Sequence, residues 1–427
     1  MGQGVLTSGF ARVHGELACE GVSLERVATE VGTPAYVYSA SVVRDRYHRL
    51  DSALAALPHR IHYTLKANSN RGILRVLRDA GAGVDVVSGG ELHRALRAGF
   101  DGSDIVFGGV GKTEAELRQA LEARVFLINV ESEMELRLLD RLAGELGVIA
   151  PVGIRVNPEV SVDSSHRYIK TGEKGAKFGV PFDEVRGVAR VAAELSHLKL
   201  IGLDMHIGSQ LFRLDPYIDA TERLVELVGG MREEGIDTFE YLDIGGGLGV
   251  SYDEEETPDL ERFATALASR VQPLGVTLLM EPGRFIVGNA GMLLTRVLYR
   301  KRSGGREFLI TDAGMTELIR PSHYDAFHRI ESVRPVAGKM RADVVGPVCE
   351  SGDFLALDRE MDEANAGDLL AVYDVGAYGY VMASNYNSRP RGVEVLVDGE
   401  RFAVVTARER NEDLVHLELD DPEWREG

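Results

Sequence analysis

Eight short apolar runs rich in β-branched residues recur between residues 42 and 289, and the segments between them carry a helical period. The runs cover residues 61–65, 84–87, 105–107, 125–128, 152–156, 200–205, 241–244 and 278–280, with helices expected over stretches such as 71–80 and 91–98. Repeated strand–helix units require a parallel sheet with helices packed outside it. Eight strands predict an α/β fold of the closed (β/α)8 TIM-like barrel type over 42–289. A doubly wound open sheet is the alternative, although such sheets more usually carry about five to seven strands. After residue 285 the texture changes to short strands with glycine-bearing turns, at 307–311, 369–373, 393–397 and 402–406. That pattern predicts a second, all-β domain over 290–427. Residues 1–41 are too few to fold alone and contain their own strand at 36–38, so they are expected to join the β domain. The polar stretch 420–427 is expected to fray.

Composition narrows the function classes. Acidic residues outnumber basic ones 67 to 48, a net charge of -19, which repels phosphate backbones and anionic lipid surfaces. No basic patch offsets it, so neither a nucleic-acid nor a membrane partner is expected. The two cysteines, Cys19 and Cys349, supply neither a disulfide framework nor a zinc cluster. No metal is expected, and a reducing cytoplasm fits. No run reaches about 18 apolar residues. The opening residues lack a basic and an apolar region, and Leu6 stands where a myristoylation signal needs Ser or Thr.

Active sites of such barrels lie at the C-terminal ends of the strands. In strand order those positions hold Lys66-Ala67-Asn68, Asp85 with Ser88-Gly89-Gly90, Gly108-Gly109, Asn129, Arg155 with Asn157, His206 with Ser209, Gly245-Gly246-Gly247-Leu248-Gly249, and Glu281-Pro282-Gly283-Arg284. Any one of these reads equally well as a helix cap or a tight turn; eight together are harder to assign to turns alone. Lys66 ends the first strand in a partly dry position, where an ammonium is costly and a neutral amine, a nucleophile for aldehydes, is favoured. The alternative is a lysine snorkelling to solvent. The glycine run can aim backbone N–H groups at one phosphate. It is not a dinucleotide fingerprint, because the third glycine would fall at Val250, and it lacks the Gly-Lys-Ser/Thr of a nucleotide loop.

An imine-forming lysine, a small phosphate cradle and a carboxylate on the last strand together point to pyridoxal 5'-phosphate (PLP). Glu281 placed at the pyridine nitrogen would keep it protonated, so that the ring accepts the electron pair left when a carboxylate departs as CO2. His206 is either a group lying flat on the ring or a satisfied structural imidazole.

At this point the sequence resembles the PLP-dependent decarboxylases of the alanine-racemase-like fold, and within them the diaminopimelate decarboxylases. The resemblance runs from about residue 33 to 387. It is carried by Tyr63-Thr-Leu-Lys-Ala-Asn68, Asp85-Val-Val-Ser-Gly-Gly-Glu91, His206-Ile-Gly-Ser-Gln210, Gly245-Gly-Gly-Leu-Gly249, Glu281-Pro-Gly-Arg284, Arg320-Pro321 with Tyr324, Cys349-Glu-Ser-Gly-Asp353 and Gly376-Ala-Tyr378. It implies that Lys66 is the Schiff-base lysine, that His206 stacks on the ring and that Glu281 meets the pyridine nitrogen. Ser209, Gly245, Gly246, Gly247 and Tyr378 would hold the phosphate, with Asp85 and Arg155 bordering the cofactor. Arg284, Arg320, Tyr324 and Glu350, with Tyr378 beside them, would bind the far end of the substrate, and Cys349 would return a proton after CO2 loss. The resemblance further implies a homodimer with shared active sites, because Cys349 and Glu350 would reach the site of the opposite subunit. The stretch His166-Arg-Tyr-Ile-Lys-Thr-Gly172, ending near Lys177-Phe-Gly179, resembles the family's lid. Ser322 and His323 are more polar than the family pattern, and Glu317 is a similar small departure.

The implied reaction is decarboxylation of meso-2,6-diaminopimelate to L-lysine and CO2, the last step of bacterial lysine biosynthesis. The residue types suit this substrate: its far end presents a carboxylate for two arginines and a tyrosine hydroxyl, and an ammonium for Glu350. An ornithine substrate offers no far carboxylate, and two arginines left unmatched would be costly. The alternative is that Arg284 and Arg320 form structural ion pairs. A related decarboxylase acting on carboxynorspermidine or ornithine is the nearest rival. A racemase of this fold would place arginine at the ring nitrogen where Glu281 stands, and a catalytically silent homologue would lack Lys66, Cys349 or the glycines.

Overall fold

The computed structural model describes residues 9–160, 175–253, 255 and 257–425. Leu6, the lid-like stretch 166–172 and the last two residues of the chain lie outside the described residues. The chain divides into two compact units, Ala40–Ala290 and Met1–Ser39 with Gly291–Gly427.

The first unit is a closed barrel. Its eight parallel strands are His59–Thr64, Gly83–Val86, Ile105–Phe107, Leu127–Val130, Ala150–Asn157, Leu198–Met205, Tyr241–Asp243 and Thr277–Met280. Each pairs with the next, and the ring shuts where Leu278 meets His59 and Met280 meets Ile61. The open-sheet alternative is thereby excluded. A two-residue strand, Val180–Pro181, adds to the outside of the fifth. Helices follow the strands because their starts are specified locally. Asn70 caps Arg71–Asp79, Ser88 caps Gly89–Ala98, Ser132 caps Glu133–Leu146, and Thr113 and Glu116 form a capping box on Glu114–Glu122.

The two ends of the barrel differ in chemistry. At the N-terminal end the His62 ring stacks on Phe126 at 5.5 Å, Phe126 meets Tyr241 edge-on at 4.9 Å, and the Arg60 guanidinium lies 4.7 Å over Phe126. Phe126 is drawn into this plug, which explains why the fourth strand starts at Leu127, two residues later than the apolar run. Burial, and after it the Arg60 charge, drives the His62 pKa down to about 4, so the His62 ring in the plug is neutral. Polar side chains collect at the opposite end.

The second unit is built on a mixed sheet. Its order is Phe354–Asp362, Lys339–Val345, Arg306–Thr311, Gly291–Ser303, Ala35–Ser39, Val393–Asp398 and Arg401–Thr406, with Ile330–Ser332 and Leu369–Val372 off this path. The N-terminal strand Ala35–Ser39 lies between Gly291–Ser303, antiparallel, and Val393–Asp398, parallel. A three-stranded sheet of Phe10–Val13, Glu16–Cys19 and Val22–Ser23 shares its core, with Leu17, Cys19, Val37, Met292 and Val395 packed together. Among the described residues this unit also carries short α-helices at Leu24–Val31, Arg320–Tyr324 and Asn411–Val415.

Candidate active site

Lys66 leaves the first barrel strand with its Nζ 3.7 Å from Asp85 Oδ2; the Asp85 side chain is 2% exposed and that of Lys66 37%. The lysine therefore reaches toward the mouth while its partner is fixed in the wall. Beneath them, Glu91 accepts the Val87 N–H at 2.8 Å. Burial pushes the Glu91 carboxyl up to about 7, with the Val87 N–H working against it and the Asp85 charge adding to it.

Arg155, on the fifth strand, is held by two carboxylates: Nη1 is 2.8 Å from Glu131 Oε1 and Nε is 3.7 Å from Asp204 Oδ2. Burial would favour a neutral guanidine, but Asp204 and Glu131 outweigh it and keep the charge on Arg155. Glu131 has a second duty, because its Oε2 accepts the Gly179 N–H at 2.8 Å while Phe178 lies under the guanidinium at 5.1 Å. Gly179 sits at φ +71, and a Cβ there would be 2.9 Å from the Asn157 nitrogen, so only glycine brings this backbone close enough. Glu131→Ala leaves Arg155 with Asp204 alone and takes the acceptor from the Gly179 N–H, and chemical denaturation is expected to show a loss of about 3 kcal/mol; an unchanged midpoint would remove Glu131 from this role.

Asp204, Asp243 and Glu281 end the sixth, seventh and eighth strands, and one oxygen from each lies within 4.8 Å of the others. All three are raised above the usual carboxylate range. Burial is the main cause, with Asp243 pressing on both Asp204 and Glu281. His206 accepts the Gly246 N–H on Nδ1 at 3.3 Å, which leaves Nε2 to carry the ring proton. Burial, then the charges of Lys66 and Arg155, depress its pKa well below the usual imidazole value, so the ring is neutral.

The glycine run is tied into this cluster. The Gly245 N–H goes to Asp243 Oδ1 at 2.9 Å, the Gly246 N–H to His206, and the Gly246 carbonyl accepts from the Tyr217 hydroxyl. A Cβ on Gly246 would lie 2.1 Å from the Glu281 carbonyl oxygen. Two of the N–H groups that the sequence offered to a phosphate are thus used inside the protein. Arg284 donates to Tyr252 OH at 2.7 Å and to Ser209 Oγ at 3.3 Å, which puts one member of the substrate set beside a member of the phosphate set.

The remaining sequence-derived residues belong to the β unit. Arg320 is buried on the short helix Arg320–Tyr324 and lies 3.2 Å from His328 Nε2; His328 in turn donates from Nδ1 to the Tyr373 carbonyl at 2.8 Å. The ring of Tyr324, half-buried, meets that of His323 edge-on at 4.5 Å. Ser322 is spent on the Ile319 carbonyl, and Glu317 accepts the Gly314 N–H and the Thr316 hydroxyl, so both departures from the family pattern are explained as turn contacts. Cys349 and Glu350 are exposed on a turn that the buried Asp353 organises, accepting the Met315 and Val348 N–H groups at 2.6 Å each. Asp353→Ala leaves both donors without that acceptor and is expected to cost about 2–3 kcal/mol in thermal or chemical unfolding; no shift would show that the turn is held otherwise. Tyr378, half-buried, takes the left-handed conformation at φ +56.

Four polar groups at the barrel mouth escaped the sequence reading: Glu131, Asp204, Asp243 and Tyr252. Asp204 and Asp243 had a usable signal, a lone carboxylate inside an otherwise apolar strand. Glu131 and Tyr252 stand in loops, where nothing local sets them apart.

These residues suit PLP on structural grounds. They combine an amine beside a carboxylate, a buried carboxylate for a ring nitrogen, a neutral imidazole, and Ser209 with Arg284 for an anion. Moreover, Asp85 Oδ2, Asp204 Oδ1, Asp243 Oδ2 and both polar atoms of the Asn129 amide are buried without a hydrogen-bond partner among the described residues.

The pyridoxal-binding domain model of pyridoxal-dependent decarboxylases matches residues 40–288. A diaminopimelate decarboxylase of Pseudomonas aeruginosa is 51% identical over 406 residues, 95% of this chain and 97% of its own. The crystal structure of diaminopimelate decarboxylase from M. jannaschii in complex with L-lysine superposes with a TM-score of 0.93 at 34% identity, covering 98% of this chain and 99% of that one. The Helicobacter pylori diaminopimelate decarboxylase, also complexed with L-lysine, gives a TM-score of 0.89 at 40% identity over 92% and 98% of the two chains. With a barrel and a mouth of this composition, and likeness of this extent, the chain belongs to the diaminopimelate decarboxylase family of pyridoxal-dependent decarboxylases.

Proposed function

We propose that this protein is a PLP-dependent carboxy-lyase that converts meso-2,6-diaminopimelate to L-lysine and CO2, the closing step of bacterial lysine biosynthesis, as a cytoplasmic homodimer. The observation that carries the reading is likeness to diaminopimelate decarboxylases over nearly the whole chain. The work divides between the barrel, residues 42–289, and a β domain of 290–427 joined by 1–41.

Lys66 Nζ would hold the cofactor through its aldehyde, with Asp85, 3.7 Å away, orienting the amine. Bound PLP supplies an electron-withdrawing ring that takes up the electron pair released by the departing carboxylate. Glu281 keeps the ring nitrogen protonated. Neutral His206 would lie against the ring without adding charge, and Arg155, fixed by Glu131, would border it. Ser209, Tyr378 and the glycine run from Gly245 to Gly247 would hold the phosphate, the Gly245 and Gly246 N–H groups fixing the turn through Asp243 and His206. Arg284, Arg320, Tyr324 and Glu350, with Tyr378, receive the carboxylate and ammonium of the far end of the substrate. Cys349 returns the proton that replaces CO2; its exposure in the single chain suits a group offered to a second subunit, as does that of Glu350.

The test is CO2 release with PLP added. Diaminopimelate is expected to be turned over, while ornithine, arginine, lysine and carboxynorspermidine are not. Equal or faster release from any of these would overturn the substrate assignment.

A further inference from the structure

Five carboxylates gather at the C-terminal end of the barrel, Asp85, Glu131, Asp204, Asp243 and Glu281, and all are buried. Two cations face them among the described residues, Lys66 beside Asp85, and Arg155 between Glu131 and Asp204. Asp243 and Glu281 have neither within ion-pair distance, yet one oxygen of each lies within 4.8 Å of the other and of Asp204. Burying that many like charges so close together without a proton is strongly unfavourable.

The contacts of each group say where a proton goes. Asp204 is next to the Arg155 guanidinium, which favours its ionised form. Glu281 must be ionised to hold a proton on the ring nitrogen, a point that rests on the function proposed above. Asp243, unlike Asp204, has no cation within ion-pair distance among the described residues. Its Oδ1 is committed as the acceptor of the Gly245 N–H at 2.9 Å, while Oδ2 is buried with no donor directed at it among the described residues. An oxygen so placed is satisfied by carrying a hydrogen itself.

We infer that Asp243 is a neutral carboxylic acid that donates a hydrogen bond from Oδ2 to Glu281, fixing the orientation and the charge of the carboxylate that meets the ring nitrogen. Asp243 is then a positioning residue, acting through Glu281. It also joins the phosphate end of the site to the ring end, because its other oxygen anchors Gly245. Burial, and after it the Asp85 charge, raises Asp243, while the Gly245 N–H and the contact with Glu281 oppose that rise.

Difference infrared spectroscopy on protein labelled with carboxyl-13C aspartate tests the inference without turnover. The unreacted protein at neutral pH is expected to show an isotope-shifted carboxylic-acid C=O band that is absent from Asp243→Asn and retained in Asp204→Asn. A band that survives in D243N, disappears in D204N, or is absent from the parent protein would overturn it. If D243N fails to fold, the D204N and parent spectra still decide. PLP affinity gives a second readout. Asn accepts the Gly245 N–H and donates a neutral N–H to Glu281, whereas Ala does neither, so Asp243→Ala is expected to lose at least about tenfold more affinity than D243N. Equal losses would contradict the donor role. Neither outcome depends on which amino acid is the substrate.

Discussion

Lys66→Ala is expected to leave a folded protein whose decarboxylase activity has fallen by roughly 10³-fold or more, the scale for a group that both attaches a reactant and moves its protons. The stability change is expected to be small. The side chain is partly exposed, and its ion pair is with Asp85 at the longer distance of 3.7 Å. Circular dichroism and the unfolding midpoint separate the two effects. A variant that folds and retains a tenth of the parent rate would show that another amine does this work, and Lys112 is a poor candidate. Its side chain has no exposure and is held at 2.6 Å by Glu135 and by the Gly109 and Asn129 carbonyls.

Glu281→Gln is expected to lower kcat by roughly 10²-fold, equivalent to about 2.7 kcal/mol of barrier, with a smaller change in KM. Gln fills the same space but is a neutral group at the ring nitrogen, so the proton there is no longer held. The change falls on kcat because the carboxylate acts where charge moves, not where the substrate is recognised. The absorbance of the bound cofactor should change with it. A loss confined to KM, with an unaltered spectrum, would move Glu281 out of contact with the ring. Glu281→Asp, which keeps the charge but draws it back, separates charge from reach and is expected to fall between the two.

Much of this was legible in the sequence, and the reasons are physical. The short apolar, β-branched runs correspond to the eight strands, and the chemistry-bearing residues directly after them lie at the polar end of the barrel because a parallel barrel presents all of its strand ends on one face. Lys66 beside Asp85 and Arg155 beside Asp204 are contacts across neighbouring strands, so strand order alone brought them close. What stayed hidden was pairing between residues far apart in sequence: Glu131 with Arg155 and Gly179, and Tyr252 with Arg284. No local pattern announces them, since each is fixed only when the ring closes. In the β unit the 13-residue strand Gly291–Ser303 escaped notice because its second half, from Leu298 on, is exposed and charged and lacks a clean alternation. Asp353 reads as one more acidic turn residue until its two backbone donors are seen.

The most direct test is to reduce the PLP-loaded protein with borohydride, digest it, and locate the pyridoxyl group by mass spectrometry. The expected result is one modified peptide, carrying the label on Lys66, and none from Lys66→Ala. Label on any other lysine, or complete release of the cofactor from a protein that had bound it, would contradict the assignment.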